Sequence, residues 1–240
     1  MSTPDFRFRQ FTVRHDRCAM KVGTDGVLLG AWAWLPSCGR LLDIGTGTGL
    51  IALMMAQRCP DGQVTAIDID ADAVCQAREN VAASPFAQRI NVLHTSLQQF
   101  KADAQSGHEP PFDAILCNPP FFEENLLPPD TRRSAARHTM SLPFQELAVG
   151  AATLLGSGGR FSTVLPTTAF EDFRLLCFGA GLTLRRLCHV QTVPTKPPKR
   201  VLATFAKGNE ADLEETTLIL QNGTARSEAY AALTHDFYLW

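Results

Sequence analysis

The sequence predicts a doubly wound α/β protein with a mostly parallel sheet and an antiparallel pair of strands near its end. Short apolar runs typical of strands alternate with helical segments from residue 40 to residue 206. Connections long enough to contain a helix join successive strands in parallel, and the helices then cover both faces of the sheet. After residue 181 two β-rich runs follow each other without a helix between them, which indicates an antiparallel edge.

The first half of this alternation is defined by apolar runs that end in glycine or acidic residues. A helix is predicted where apolar residues are nearly continuous after the first strand, and Asp70 or Asp72 can cap the next helix, which ends before Pro85. In chain order the predicted elements are strand Arg40–Ile44, helix Leu50–Arg58, strand Val64–Ile67, helix Ala71–Ala83, and strands Ile90–Leu93 and Phe112–Cys117.

The second half shows the same alternation of strands and helices, and glycines and prolines mark the boundaries of its elements. The run Gly156–Gly159 closes one helix, and the loop Pro194–Lys199 separates the last two strands. Residues 1–36 and 121–141 do not fit the alternation, and long loops after parallel strands are where α/β proteins bind ligands. The predicted elements are helix Leu142–Leu155, strand Phe161–Leu165, helix Thr168–Gly179, and strands Leu182–Thr192 and Val201–Lys207.

The composition is that of an ordinary globular protein, with 45% apolar and 19% charged residues. No uninterrupted apolar run approaches the length of about eighteen residues that a membrane span needs. The start, Met1–Arg7, has no apolar run after its charges, which excludes a signal peptide. We therefore expect one domain across residues 1–240, no membrane partner, a cytoplasmic location and a monomer.

Cysteine spacing and net charge exclude two further classes of site. The seven cysteines form no C-x-x-C pair, so zinc and thioredoxin sites lack their spacing, and His94, His138 and His189 are not spaced as metal ligands. We expect reduced thiols and no metal. The net charge of −2 shows no global nucleic-acid footprint. The net charge does not exclude a local basic patch, because affinity for phosphate depends on the charge near the contact.

A glycine-rich turn, Asp43–Gly49, joins the first predicted strand to the first predicted helix. Glycine permits the tight turn and lets a ligand approach the amides at a helix N-terminus. The nicotinamide fingerprint is absent, because position 50 is Leu rather than Gly. Asp43 would repel a pyrophosphate but suits an ammonium group. The cofactor-binding residues expected here are Asp43, Gly45, Gly47 and Gly49.

Asp68 lies 19 residues after Gly49, at the end of the second strand. A carboxylate at that place can accept hydrogen bonds from ribose hydroxyls. Asp70 is a weaker candidate because it falls at the helix start, and the alternative is that both aspartates only cap the helix. The turn and Asp68 together indicate a ligand with an amino group, a ribose and no pyrophosphate. S-adenosylmethionine meets these three conditions.

The run Asn118-Pro119-Pro120-Phe121, here called the NPPF motif, follows the fourth strand. Its two prolines hold an extended turn, so that the Asn118 side-chain oxygen and the Pro119 carbonyl can converge on one amino group. An sp2 amine is a poor nucleophile, and two such acceptors stabilise the positive charge that develops on it during methyl transfer. Phe121 can stack on a flipped base. The alternative is an ordinary proline-rich strand exit.

The glycine-rich turn together with the NPPF motif resembles the class I S-adenosylmethionine-dependent methyltransferases that modify planar amino or amide nitrogens. Further runs narrow the resemblance to the bacterial tRNA(Val) adenine N6-methyltransferases, a family that acts on the adenine beside the anticodon, position 37. The runs that carry this narrower resemblance are His15–Trp32, Gln76–Asn80, Ala136–His138, Arg200–Leu202 and Asp236–Leu239.

The resemblance implies a seven-stranded Rossmann-like sheet with an antiparallel last strand, S-adenosylmethionine as cofactor and tRNA as substrate. It also implies that Lys21, Gly23 and Thr24 belong to a segment that folds over the methionine end of the cofactor. Relatives usually place Asp where this chain has Ser96, to accept the adenine amino hydrogens of the cofactor. A serine can still accept one hydrogen bond there.

Basic residues in three places are candidates for contacts with tRNA phosphates. One place is the N-terminal segment, with Arg7, Arg9, Arg14 and Arg17, and the other two lie later in the chain. The loop 121–141 follows the NPPF motif directly and is expected on the substrate side, whereas the last group lies near the end of the predicted sheet. The alternative is solvated surface. The later candidates are Arg132, Arg133 and Arg137 in the loop 121–141, and Lys196, Lys199 and Arg200 in the last group.

Two alternative functions remain open at this point. One is methylation of a glutamine amide in a translation protein, although the 36 residues before the first strand leave little room for the helical substrate domain of those enzymes. The other is a non-catalytic RNA-binding module in which Asn118 is structural, although the intact NPPF motif and glycines favour catalysis. A DNA adenine methylase is disfavoured, because no target-recognition domain fits after residue 207.

Overall fold

An eight-stranded mixed sheet forms the centre of the computed structural model, which describes residues 5–18, 21–107, 109–120, 142–208 and 212–239. Two short antiparallel hairpins lie outside this sheet. The strands are β1 Asp5–Arg7, β2 Thr12–Arg14, β3 Cys38–Ile44, β4 Asp61–Asp68, β5 Ile90–His94, β6 Phe112–Cys117, β7 Leu155–Pro166, β8 Leu182–Gln191, β9 Arg200–Lys207, β10 Glu214–Ile219, β11 Gln221–Asn222 and β12 Ala225–Arg226.

Seven α-helices are present in the described residues, and one 3-10 turn, Ala87–Arg89, precedes β5. No helix among these residues has both the length and the apolar character that crossing a bilayer requires. The helices are α1 Thr24–Trp32, α2 Leu50–Arg58, α3 Ala71–Ala82, α4 Leu97–Ser106, α5 Phe144–Leu154, α6 Thr167–Gly179 and α7 Glu228–Thr234.

The sheet has the strand order β5-β4-β3-β6-β7-β9-β8-β10. Every neighbouring pair is parallel except the two that involve β9, which runs antiparallel to both β7 and β8. The mostly parallel sheet and its antiparallel strand are confirmed. However, β9 lies between β7 and β8, so the antiparallel strand is internal rather than at the edge that the sequence suggested.

Strand β10 makes the sheet eight-stranded rather than seven-stranded. It pairs in parallel with β8, from Glu214 opposite Arg186 to Ile219 opposite Gln191. Its first four residues, Glu214–Thr217, are polar and exposed. An edge strand with so little buried apolar surface gives no clear apolar run, which is why the sequence did not predict it.

Helices α1 and α4 were also missed. Helix α1 carries two glycines, Gly26 and Gly30, and six of its nine residues are buried, so it lacks the amphipathic pattern by which a helix is recognised. In α4 only Leu97 is buried. Helix α5, helix α6 and the last two long strands agree with the predicted bounds to within two residues.

The core consists of two apolar clusters on opposite faces of the sheet. One cluster unites α1, α2 and α3 with residues such as Leu41 and Leu116, and the other unites α5 and α6 with residues such as Leu42 and Ile115. Neighbouring residues of one strand therefore point into different clusters, as the alternation of a strand requires. The doubly wound arrangement is confirmed.

The N-terminal hairpin β1–β2 packs against the end of the described chain. The Arg9 amide donates to the Phe237 carbonyl at 2.8 Å, and Arg9 Nε donates to the Tyr238 carbonyl at 2.7 Å. The Phe8 and Tyr238 rings stack with centroids 5.8 Å apart, and both side chains are buried. The hairpin is thus fixed in place by residues from the opposite end of the sequence.

Candidate active site

A cavity of about 230 Å³ opens at the carboxyl edge of the parallel strands, where α/β proteins bind ligands. The loops after β3, β4, β5 and β6 form its wall. The described residues that line it are Cys18, Ile44, Gly45, Gly47, Ile67, Asp68, Ile69, Asp70, Ala73, Thr95, Ser96, Leu97, Gln98, Cys117, Asn118, Pro119, Pro120 and Leu142.

The glycine loop, residues 45–49, turns the chain from β3 into α2. Gly45, Gly47 and Gly49 all have positive φ values, of 70°, 55° and 83°, which side chains rarely adopt. At Gly49 space is also short, because a Cβ would lie 3.3 Å from the Ala77 Cβ of α3. Gly45 and Gly47 line the cavity and Gly49 does not, so the structure brings two of the three predicted glycines to the ligand space.

Asp43 lies beneath the glycine loop instead of on the cavity wall, which corrects its predicted contact with a ligand ammonium group. The side chain is fully buried, and Oδ2 accepts hydrogen bonds from the Thr46 hydroxyl at 2.6 Å and from the Ala52 amide at 3.1 Å. Ala52 lies in the first turn of α2, so the carboxylate caps that helix across the loop. Burial raises the pKa of Asp43 to about 7, although the Thr46 and Ala52 hydrogen bonds act in the opposite direction.

Asp68 lies on the cavity wall, where the sequence analysis placed it. Its Oδ2 accepts from the Gly47 amide at 2.8 Å and its Oδ1 from the Asp70 amide at 3.0 Å. Each carboxylate oxygen keeps a further lone pair that can accept a hydroxyl hydrogen. Asp70 caps α3 by accepting from the Asp72 amide at 2.9 Å. Capping therefore explains Asp70 but not Asp68, which connects β4 to the glycine loop.

Ser96 both lines the cavity and caps α4. Its hydroxyl oxygen accepts from the Gln99 amide at 3.1 Å. The hydroxyl hydrogen stays available to an acceptor in the cavity, and one lone pair can still accept a hydrogen bond. The predicted position of Ser96 next to a ligand agrees with the geometry, and its contact with the cofactor adenine stays a prediction.

The first three residues of the NPPF motif, Asn118, Pro119 and Pro120, line the cavity beside the glycine loop, because Cys117 of β6 pairs with Ile44 of β3. No hydrogen bond to the Asn118 carboxamide occurs among the described residues. Helix α1 approaches it, because a Cβ on Gly26 would lie 3.9 Å from Asn118 Nδ2. Phe121, the fourth predicted catalytic residue, lies outside the described residues, so its stacking role stays a prediction.

The predicted covering segment reaches the cavity at a different residue. Lys21, Gly23 and Thr24 do not line it, whereas Cys18 does. Thr24 is the first residue of α1, whose first turn lies next to Asn118 through Gly26. The structure thus brings this segment to the mouth of the cavity, and direct contacts of these three residues with a cofactor remain predictions.

The basic residues near the end of the sheet lie at the same edge as the cavity. Because β8 runs parallel to β7, its end and the loop 192–199 that follows are at the carboxyl edge. Lys196 and Lys199 are exposed there. Arg200 Nε instead donates to Asp25 Oδ2 of α1 at 3.0 Å. Arg132, Arg133 and Arg137 lie outside the described residues.

Sequence reasoning missed Ile69, Gln76 and Asn80. Ile69 is 54% exposed and lines the cavity directly after Asp68. Gln76 and Asn80 are almost completely buried in α3. Two polar residues four positions apart among buried apolar ones are a usable signal in principle, since buried amides need partners. The identity of those partners is a tertiary property that the sequence does not display.

The cavity suits a ligand that carries positive charge, a ribose and a planar base. Among the described lining residues two are acidic, Asp68 and Asp70, and none is Lys or Arg. Such a wall repels a phosphate or pyrophosphate. Ile69, Leu97 and Leu142 supply apolar surface for a base, and the donor set therefore fits S-adenosylmethionine. No group of three or more His, Cys, Asp or Glu side chains in the described parts of the chain could hold a metal ion.

Comparison with known proteins agrees with this geometry. A family described as the methyltransferase small domain matches residues 28–169. A tRNA1(Val) (adenine(37)-N6)-methyltransferase of Phocaeicola vulgatus is 48% identical and covers 100% of this chain and 99% of that protein. A relative of the same name from Pseudoalteromonas translucida is 45% identical, with 98% of each chain covered.

A solved structure supports the fold. A predicted O-methyltransferase from Agrobacterium tumefaciens superimposes with a TM-score of 0.68 at 22% sequence identity, and covers 89% of this chain and 96% of that one. At this identity the likeness concerns the architecture and not the substrate.

Asp68→Asn tests the ribose contact. We expect it to weaken S-adenosylmethionine binding by about 1–3 kcal/mol, because the charged acceptor is lost while the shape is kept. Titration calorimetry measures the change. Asp72→Asn is the control, since Asp72 is an exposed acid in the first turn of α3 that does not line the cavity, and affinity should stay near that of the wild type. Equal losses in both variants, or no loss in Asp68→Asn, would contradict the assignment.

The buried Asp43 predicts a pH dependence of stability. Its pKa in the folded protein, about 7, exceeds the ordinary value, so the folded state holds a proton that the unfolded state releases. The contribution is complete below about pH 4 and is lost as the pH rises through 7. Relative to Asp43→Asn, the wild-type free energy of unfolding should fall by about 1.4 kcal/mol per pH unit between roughly pH 5 and 7.

Urea denaturation of both proteins at several pH values measures this slope difference. The substitution removes the titrating group and keeps an oxygen that can accept from Thr46 and Ala52. Parallel curves for the two proteins would show that Asp43 stays charged in the fold throughout this range.

Proposed function

The chain belongs to the tRNA1(Val) (adenine(37)-N6)-methyltransferase family, and on this premise we propose that it methylates N6 of adenine 37 in tRNA(Val) with S-adenosylmethionine as donor. The observation that carries the proposal is that Asn118 and Pro119 line the same cavity as Gly45, Gly47 and Asp68, at the ends of neighbouring parallel strands. The tRNA substrate is carried over from the names of the relatives, and the cytoplasm as the place of action is our proposal for an enzyme that acts on tRNA.

The residues around the cavity would hold the cofactor in one orientation. Asp68 would accept the ribose hydroxyls, and Ile69 and Leu97 would enclose the adenine next to Ser96. The glycine loop allows the ligand to approach the backbone because no side chain projects from Gly45 or Gly47. When bound, S-adenosylmethionine supplies an electrophilic methyl group on a sulfonium.

The NPPF motif would act on the target amine. The lone pair of an adenine amino group is delocalised into the ring, and nitrogen gains positive charge as it forms the new bond to carbon. The Asn118 side-chain oxygen and the Pro119 carbonyl can accept the two amino hydrogens and stabilise that charge. None of the described residues hydrogen-bonds the Asn118 carboxamide, whose oxygen lies on the wall of the cavity and would accept from the substrate amine.

The alternative functions are not proposed. Relatives that are 42–48% identical over almost the whole chain are named for adenine and not for a glutamine amide. The place of Asn118 on the wall of a cavity of suitable chemistry also favours a catalytic role over a non-catalytic RNA-binding module. Sequence and geometry thus support the same reaction.

The tRNA would approach the carboxyl edge of the sheet. Lys196 and Lys199 are exposed on the loop 192–199, and no ion pair involves either side chain among the described residues. Arg200 pairs with Asp25, so we assign it to positioning this loop against α1 rather than to phosphate binding. The loop 121–141, with Arg132, Arg133 and Arg137, follows the NPPF motif and stays our proposed second contact.

Asn118→Ala tests the catalytic assignment. Turnover should fall by about 10²–10³-fold, the effect of losing one preorganised polar group, while cofactor affinity stays near wild type. The assay uses labelled S-adenosylmethionine and a tRNA(Val) transcript, and nucleoside analysis identifies the product. A transcript with guanine at position 37 controls for the base. Asn91→Ala, at an exposed position of β5 outside the cavity lining, controls for asparagine removal. A turnover of Asn118→Ala within a few-fold of the wild-type value would show that a group other than Asn118 activates the amine.

The double variant Lys196→Ala/Lys199→Ala tests the tRNA-binding edge. The plot of log affinity against log salt concentration becomes less steep by about 0.7–0.9 for each phosphate contact that is lost. We expect the double variant to lose about one to two such contacts. Filter binding of tRNA across a salt series measures the slope. Lys207→Ala, at the opposite edge of the sheet, is the control and should leave the slope unchanged. An unaltered slope in the double variant would exclude this loop from the RNA interface.

A further inference from the structure

Helix α3 connects the N-terminal part of the chain to the glycine loop through one side chain, Asn80. Its Oδ1 accepts from the Arg14 amide at 2.9 Å, and its Nδ2 donates to the Arg14 carbonyl at 2.9 Å and to the Thr48 carbonyl at 2.8 Å. Thr48 lies between Gly47 and Gly49 in the glycine loop. The carboxamide is 2% exposed, and these three bonds use both of its donors and its acceptor.

The same helix holds the chain that follows Arg14. Gln76, one turn before Asn80, accepts from the Arg17 amide at 3.1 Å, and Glu79 forms an ion pair with the Arg17 guanidinium at 2.9 Å. The next residue, Cys18, lines the cavity. Residues 14–18 are therefore aligned along α3 and lead directly to the cavity wall.

Asn80 itself does not line the cavity. We propose that Asn80 is a positioning residue that couples the placement of residues 14–18 to the conformation of the glycine loop, and thereby sets the affinity for the cofactor. The inference rests on the proposed function for the identity of that cofactor. It assigns a role in cofactor binding to a residue that does not line the cavity.

The three hydrogen bonds need a side chain with one acceptor and two donor hydrogens, which an amide group provides. An aspartate could accept from the Arg14 amide but would place a carboxylate against the Arg14 and Thr48 carbonyls, and leucine would leave all three backbone groups without a partner. Buried polar groups that lose their partner are costly, so the segment and the loop would separate from α3 to regain hydrogen bonds with water. The glycine loop would keep its Gly47–Asp68 bond but lose its support at Thr48.

The test measures binding and turnover separately in Asn80→Asp and Asn80→Leu. We expect the dissociation constant of S-adenosylmethionine to rise by about 10–100-fold, as for one to two lost buried hydrogen bonds, with turnover at saturating cofactor and tRNA unchanged. Val81→Ala, a truncation of the next core residue of the same helix, is the matched control. It should lower the melting temperature but leave the dissociation constant unchanged.

A second measurement compares hydrogen exchange in the wild-type protein and in Asn80→Asp. In the wild-type protein, hydrogen exchange of the Arg14 and Arg17 amides should slow when S-adenosylmethionine binds, because the cofactor and the segment support the same conformation of the loop. In Asn80→Asp that slowing should be lost, provided the variant is folded. This readout keeps the inference testable even if Asn80→Leu does not fold.

Three results would overturn the inference. They are normal cofactor affinity in Asn80→Asp, an equal loss of affinity in Val81→Ala, and exchange of the Arg14 amide that does not respond to the cofactor. Failure of the proposed function looks different, because the wild-type protein would then bind no S-adenosylmethionine or would leave tRNA(Val) unmodified.

Discussion

The turn from β3 into α2 has to pass under a ligand without side chains in the way, and the rest of the site depends on this constraint. Left-handed backbone at Gly45, Gly47 and Gly49 satisfies it, but such a loop has little rigidity of its own. Neighbouring elements supply that rigidity. Asp43 supports the loop from below, Asp68 from the side of β4 and Asn80 from α3.

The separation of charge follows from the same arrangement. The described cavity wall is acidic, which suits a cationic donor, whereas the exposed lysines lie on a loop at the same edge, outside the cavity. A nearly neutral protein can thus present negative potential to one ligand and positive potential to another. Arg200 and Asp25 lie at the boundary and neutralise each other, so that the basic loop and the first turn of α1 stay together.

Features that follow from chain order could be predicted, and those that follow from packing could not. The glycine loop, Asp68 and the NPPF motif each follow a strand, and parallel topology alone brings such positions to one edge. Asp43 looked like a ligand contact because its burial depends on how α2 packs over β3. Strand β10 and helix α1 lack the periodicity that reveals an element. The partners of Asn80 lie 66 and 32 residues away, beyond any local pattern.

The contact between the β1–β2 hairpin and the end of the chain sets an order of events during synthesis. Arg9 leaves the ribosome early, yet the carbonyl that its guanidinium binds belongs to a residue 229 positions later. The sheet around the glycine loop and the bonds of residues 14–18 to α3 can form before then, but the β1–β2 hairpin gains its support from Phe237 and Tyr238 only when these residues have emerged. A nascent chain can therefore assemble the described cavity wall, whose last residue is Leu142, well before its N-terminal hairpin is fixed in place.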